Sequence, residues 1–83
     1  MNKGRLKCQV LKGMFSDERA VVVDLNNGDK SSVFVPAAEV RGDIGARGEV
    51  NVDVFEDDGA FWAVLPTEYR ETVPVRKLDV IVT

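Results

Sequence analysis

The chain has no histidine and one cysteine among its 83 residues. Without histidine it lacks the commonest general base and metal ligand. Ser-His-Asp and Cys-His catalysis by this chain alone are therefore excluded. Cys8 lies in Leu6-Lys7-Cys8-Gln9-Val10, an alternating run in which it reads as a small buried hydrophobe and not a nucleophile. No CxxC pair is present to hold zinc. Gly28-Asp29-Lys30-Ser31-Ser32 contains a Lys-Ser step, but it lacks the spaced glycines of a phosphate loop and leads into a strand. Glu56-Asp57-Asp58-Gly59 gathers acid without the alternating Asp-x-Asp-x-Asp-Gly spacing of a cation loop, and reads as a solvated hairpin turn. Carboxylates fall in turns, with no pair set apart for acid–base work. The expectation is a non-enzymatic protein with no metal site and no cofactor.

Binding chemistry is better represented. The formal net charge is -3, which repels a phosphate backbone at long range. The charge is uneven, however. Lys3, Arg5, Lys7 and Lys12 all precede the first acid, Asp17, while Asp53, Glu56, Asp57 and Asp58 form an acidic pole. Such a dipolar surface suits an oriented partner or a head-to-tail copy. Two readings follow. The preferred one is a protein-interaction or assembly module that contacts a protein partner, or forms a homo-oligomer, through outward Trp62, Val64 and Phe34. The alternative is a single-stranded nucleic-acid binder using Arg5, Lys7, Arg76 and Lys77, with Arg41 and Arg47 elsewhere and Phe34 or Trp62 available for stacking.

Strands must position these residues. Arg5 to Val10 alternates as a half-buried first strand. Gly13 marks a bend and Ser16-Asp17-Glu18 a turn. Ala20 to Leu25 is β-branched and extended. Asn26-Asn27-Gly28-Asp29 is a turn, because Asn and Gly tolerate positive φ. Ser31 to Val35 is the third strand, and Pro36-Ala37-Ala38-Glu39 a single helical turn. Gly42, Gly45 and Gly48 punctuate a central connector. Val50, Val52 and Val54 alternate next, and Asp58-Gly59 closes a hairpin onto Ala60–Leu65. Thr72 to Val75 is an edge strand, because Pro74 cannot donate to a ladder. Arg76 to Asp79 makes a second helical turn, and Val80 to Val82 a last strand.

Residues 14–40 and 54–80 match when shifted by 40 without a gap. Phe15, Asp17, Ala20, Leu25, Val33, Val35 and Val40 recur as Phe55, Asp57, Ala60, Leu65, Val73, Val75 and Val80. The spacing proposes repeat units 5–43 and 45–83 within one domain, 1–83. Two units are too few for a solenoid; they would close on each other. The repeat also assigns faces. Asp24 must point outward, which turns Val21, Val23 and Leu25 inward. Transfer by 40 turns Phe61, Ala63 and Leu65 inward, and Trp62 and Val64 outward. Phe34 faces out between Val33 and Val35. The register fails at one place, where Lys12 falls on Val52.

The expected fold is all-β: a small antiparallel barrel of SH3-like or OB-like size, with five to seven short strands, one or two single-turn helices and an internal pseudo-two-fold. The stretch Phe34-Val35-Pro36-Ala37-Ala38-Glu39-Val40 resembles the strand-to-short-helix step of SH3-like and related small barrels. No apolar run reaches the ~20 residues of a membrane span. With no continuous apolar segment after Met1 and only one cysteine, the expected location is the cytoplasm.

Overall fold

The computed structural model describes residues 1–83. Eight strands form one curled antiparallel sheet: β1 (Asn2–Lys12), β2 (Glu18–Asp24), β3 (Lys30–Pro36), β4 (Val40–Arg41), β5 (Arg47–Asp57), β6 (Ala60–Val64), β7 (Thr72–Val75) and β8 (Val80–Val82). Two 3-10 turns, Ala37–Glu39 and Lys77–Asp79, follow β3 and β7. The strand count exceeds the expected five to seven. Two-residue β4 and three-residue β8 are too short to leave a pattern of their own.

The strand order is β3-β2-β1-β5-β6-β7, with β4 added to β5 and β8 added to β1. Strands β1 and β5 have 11 residues each. At about 3.3 Å per residue they run roughly 36 Å, which sets the 38 Å long axis of the molecule. Leu6, Cys8 and Val10 of β1 and Val50, Val52 and Val54 of β5 supply the middle of the core. Val21, Val23, Val35, Ala63, Leu65 and Val75 close over them, so the core is built largely from valine on alternating strand positions.

The ladders read the same from either half. Leu6 faces Val50 at the centre. Val50 pairs with Val40 on its other side, as Leu6 pairs with Val80. The cross-strand row Leu11–Ala20–Phe34 has its counterpart in Phe55–Trp62–Pro74. These correspondences have offsets of 44 residues for β1 and β5, 42 for β2 and β6, and 40 from β3 onward. The spans between matched positions, Leu11 to Ala20 and Ala20 to Phe34, are each two residues longer than their counterparts Phe55 to Trp62 and Trp62 to Pro74, so a gap-free shift of 40 cannot follow the strands back to β1. Phe15 is therefore not the counterpart of Phe55; Leu11 is. The clash of Lys12 with Val52 also disappears. Val52 corresponds to buried Cys8, and exposed Lys12 to exposed Glu56. All three offsets are even, so the assignment of inner and outer faces survives.

Two glycines occupy the tight crossings beside the added strands. A Cβ on Gly4 would sit 2.9 Å from the Ile81 carbonyl oxygen. Gly48 is its counterpart, and a Cβ there would run into the Arg41 carbonyl oxygen, the position matching Ile81. The second hairpin turns at Asp58 (φ 53°) and Gly59 (φ 79°). Positive φ at both central residues is what a two-residue turn needs to match the strand twist.

The two ends of the sheet close differently. The Asn26 N–H donates to the Pro74 carbonyl at 3.0 Å, tying the β2–β3 turn to β7. Beside it, the Arg76 guanidinium lies 3.9 Å from Asp24 and 2.9 Å from Asp79. The corresponding positions at the opposite end are Glu68 and Phe34 for the hydrogen bond, and Pro66 and Pro36 for the Asp24–Arg76 pair. No backbone hydrogen bond joins Glu68 to Phe34. A cleft of about 510 Å³ lies there instead.

Candidate functional site

Strand parity places the odd residues of β1 and the even residues of β2 and β3 on one outer face. Three cross-strand rows cover it. Arg41, Glu49 and Lys7 form the first, Arg47, Gln9, Val22 and Ser32 the second, and Leu11, Ala20 and Phe34 the third. Lys7, Arg41 and Arg47 make no salt bridge. Together with Glu49 they line a shallow cleft of about 440 Å³. Glu49 faces Arg5 at 3.4 Å, which leaves the three cations in excess. At the other end of the face, Phe34 is 51% exposed. The β1–β2 connection beyond that row adds Met14 and Phe15, 75% and 65% exposed.

The four cations expected to bind nucleic acid do not converge. Arg5 is half-buried against Glu49. Arg76 is held by Asp79 and Asp24 at the closed end of the sheet, and Lys77 sits on the second 3-10 turn. Only Lys7 belongs to the basic cluster. Arg41 and Arg47 join it because β4 and β5 bring the glycine connector back against β1. That register is a tertiary fact with no local sequence signal.

The expected contact residues also separate. Phe34 is outward and exposed, as the alternation requires. Trp62 is outward but half-buried, because its ring stacks on Phe55 with centroids 6.4 Å apart and planes 11° from parallel. Its indole N–H is shielded from solvent and has no hydrogen-bond partner. Val64 is corrected outright. It lies on the outer side by parity, yet is only 7% exposed. Asp53, Val64 and Thr72 share one cross-strand row. Arg70, two residues before Thr72, pairs with Asp53 at 2.6 Å, and both line one cleft with Val64.

The dipolar surface is neutralised only in part within the chain, since Lys7, Lys12, Glu56, Asp57 and Asp58 make no salt bridge. Lys3 lies 3.7 Å from Asp53, and Arg5 reaches Glu49 across the β1–β5 ladder. The hydrogen bond from Arg70 holds the Asp53 carboxyl below its ordinary range, with Lys3 adding to the effect. The Lys30 hydrogen bond does the same for Asp24. Burial pushes the Cys8 thiol up to about 11, so it stays a neutral core residue at ordinary pH. No three His, Cys, Asp or Glu side chains come together to hold a metal ion. No helix is long and apolar enough to cross a membrane. No family model, no curated protein and no solved structure matches this chain.

Proposed function

We propose that this domain is a non-enzymatic binder of single-stranded nucleic acid, using the outer face of β1, β2 and β3. The observation that carries this reading is the placement of exposed Phe34 on the same face as unpaired Lys7, Arg41 and Arg47. Aromatic faces stack on bases of any sequence, and a basic track follows the backbone. The strand order supports it. Strands β3-β2-β1-β5-β6, with a helical turn between the third and fourth long strands, follow the arrangement of the partly open OB barrel. That barrel binds oligonucleotides on its strand 2–3 face and its first hairpin loop; Phe34 and Phe15 occupy those places here. A shared fold does not by itself carry a function; exposed Phe34 and unpaired Lys7, Arg41 and Arg47 support the reading. The net charge of -3 opposes binding at long range; Glu56–Asp58 lie on the hairpin tip, while Glu49 stands among the three cations and Asp17, Glu18 and Glu68 line the cleft beside Phe34. Fluorescence anisotropy with mixed-sequence RNA and DNA single strands at low salt tests the proposal. Binding is expected to weaken as salt rises, and to fall about tenfold in the Lys7→Ala, Arg47→Ala double variant. Absence of binding at low salt would end this reading.

A protein-interaction role is the second reading. Met14, Phe15 and Phe34 expose apolar surface at one end of the same face, where a partner or second copy would be favoured. Light scattering after size exclusion tests self-association; a strict monomer at high concentration would remove that version. The neutral, buried thiol of Cys8 suits a cytoplasmic setting. The paired registers of the two halves suit descent from a duplicated unit.

A further inference from the structure

The open end of the sheet offers a binding site at the strand edge, beside the basic face and sharing Phe34 with it. Edge strands expose backbone groups that template a further strand unless something blocks them. The phase of the β2–β3 ladder identifies which groups are free. Ala37 N–H donates to the Asp17 carbonyl at 2.7 Å, and Leu25 N–H to the Asp29 carbonyl at 2.7 Å. Odd residues of β3 therefore exchange hydrogen bonds with β2, and the even residues Ser32 and Phe34 turn their N–H and C=O groups away. Both residues are exposed. At the matching edge of β7 the same position is Pro74, which has no N–H, and its carbonyl already accepts from Asn26. One edge is blocked twice over, and the other is free.

The free edge has walls. The cleft of about 510 Å³ beside Phe34 and Pro36 is bounded on its far side by Pro66 and Glu68 of the β6–β7 connection. Asp17 and Glu18 line it as well, and no cation does. Where the closed end holds the Asp24–Arg76 pair, this end holds two prolines that can neither pair nor donate. The slot is thus bordered by a strand edge on one side and a loop on the other. A single extended segment can add to such an edge through its backbone alone, whereas a second copy would bring a whole sheet against the β6–β7 residues that border it.

We infer that this slot binds an extended, lysine- or arginine-bearing segment of a partner protein, added as a strand to β3 with its cations facing Asp17, Glu18 and Glu68. Backbone hydrogen bonds to Ser32 and Phe34 hold the segment, and the acidic rim selects its charge. The inference does not depend on the nucleic-acid reading, because it uses the backbone groups of Ser32 and Phe34 and the acidic rim, whereas that reading uses the Phe34 ring and the cations Lys7, Arg41 and Arg47.

The test is a titration of the 15N-labelled chain, followed by NMR, with a ten-residue peptide alternating valine and lysine and a control alternating valine and glutamate. The lysine peptide is expected to shift the Ser32, Phe34 and Glu68 amides and to slow hydrogen exchange at Phe34 at least tenfold. The Asp17→Lys, Glu68→Lys variant should bind it at least tenfold more weakly. Phe34→Pro should abolish binding while the chain stays folded, since β7 carries proline at the same register position; Phe34→Ala, which keeps the N–H, should still bind. No binding, equal binding of the glutamate peptide, or equal binding by Phe34→Pro and Phe34→Ala would overturn the inference. Concentration-dependent shifts at Ser32 and Phe34 without peptide would also overturn it, in favour of a second copy at this edge.

Discussion

At one end of the sheet, Asn26 N–H reaches the Pro74 carbonyl and Arg76 stands 3.9 Å from Asp24. At the other, Glu68 faces Phe34 and Pro66 faces Pro36 with no hydrogen bond between the segments. The ladders leading to both ends pair in matching register. The ladder register therefore does not decide which end closes. A main-chain hydrogen bond from Asn26 and the Asp24–Arg76 pair seal one seam, and Pro36 and Pro66 stand where that pair would be at the other. The outer rows diverge in the same way. Leu11–Ala20–Phe34 puts its bulk on the edge strand, where it is exposed. Phe55–Trp62–Pro74 puts its bulk in the middle, where the two rings cover each other.

The matched register itself is tested most severely at the two crossing glycines. Gly48→Ala should cost about 3 kcal/mol, because the new methyl meets backbone that cannot swing aside. Gly4→Ala should cost about 1 kcal/mol, because the counterpart contact is looser at 2.9 Å. Urea denaturation of both variants reads the difference. Equal and negligible effects would break the correspondence between the two crossings.

A second contrast pits Cys8 against its counterpart Val52. The thiol titrates near 11 in the folded chain against an ordinary value of 9.0. Its folded pKa is raised, so the stability it contributes is full below pH 9 and is lost as pH rises through 11. The loss amounts to roughly 2–3 kcal/mol at most. Cys8→Val, which copies the other half, should remove that alkaline slope in a denaturation series from pH 8 to 11. A slope unchanged by the substitution would assign it to other groups.

The seam residues come next in size. Arg76→Ala removes the partner of Asp79, whose side chain is 9% exposed, as well as the contact to Asp24. It should destabilise by about 2 kcal/mol, since a nearly buried carboxylate loses its donor. Pro36→Ala at the matching position should stay within about 0.5 kcal/mol. Thermal unfolding of the pair measures the asymmetry, and similar losses would contradict it.

Much of the architecture was legible in the sequence. Alternation in Leu6–Val10 and Val50–Val54, the Asp58-Gly59 turn and Pro74 at an edge are local signals, and local chemistry produced them. The two faces of β2 and β6 were also readable, because Asp24 marks one strand and an even offset preserves parity. The true offsets of 44 and 42 were not. They arise because two successive spans between matched rows are each two residues shorter in the second half, and a gap-free comparison slides past such differences. Val64 was misplaced for a tertiary reason: it is buried on the side that parity makes outward, in a row whose Asp53 pairs with Arg70. The cluster of Lys7, Arg41 and Arg47 was hidden for the same kind of reason, since only the pairing of β4 and β5 with β1 assembles it. The open seam could not be read at all. It exists only by contrast with its partner, across residues as far apart as Phe34 and Glu68.

Native-state hydrogen exchange at two amides tests the central contrast most directly. Asn26 N–H, bonded to the Pro74 carbonyl, should exchange at least a hundredfold more slowly than its intrinsic rate. Glu68 N–H, its counterpart, should exchange within a few-fold of intrinsic, and Phe34 N–H on the free edge should be similarly fast. Comparable protection at Asn26 and Glu68 would show that both seams are closed, and would contradict the account.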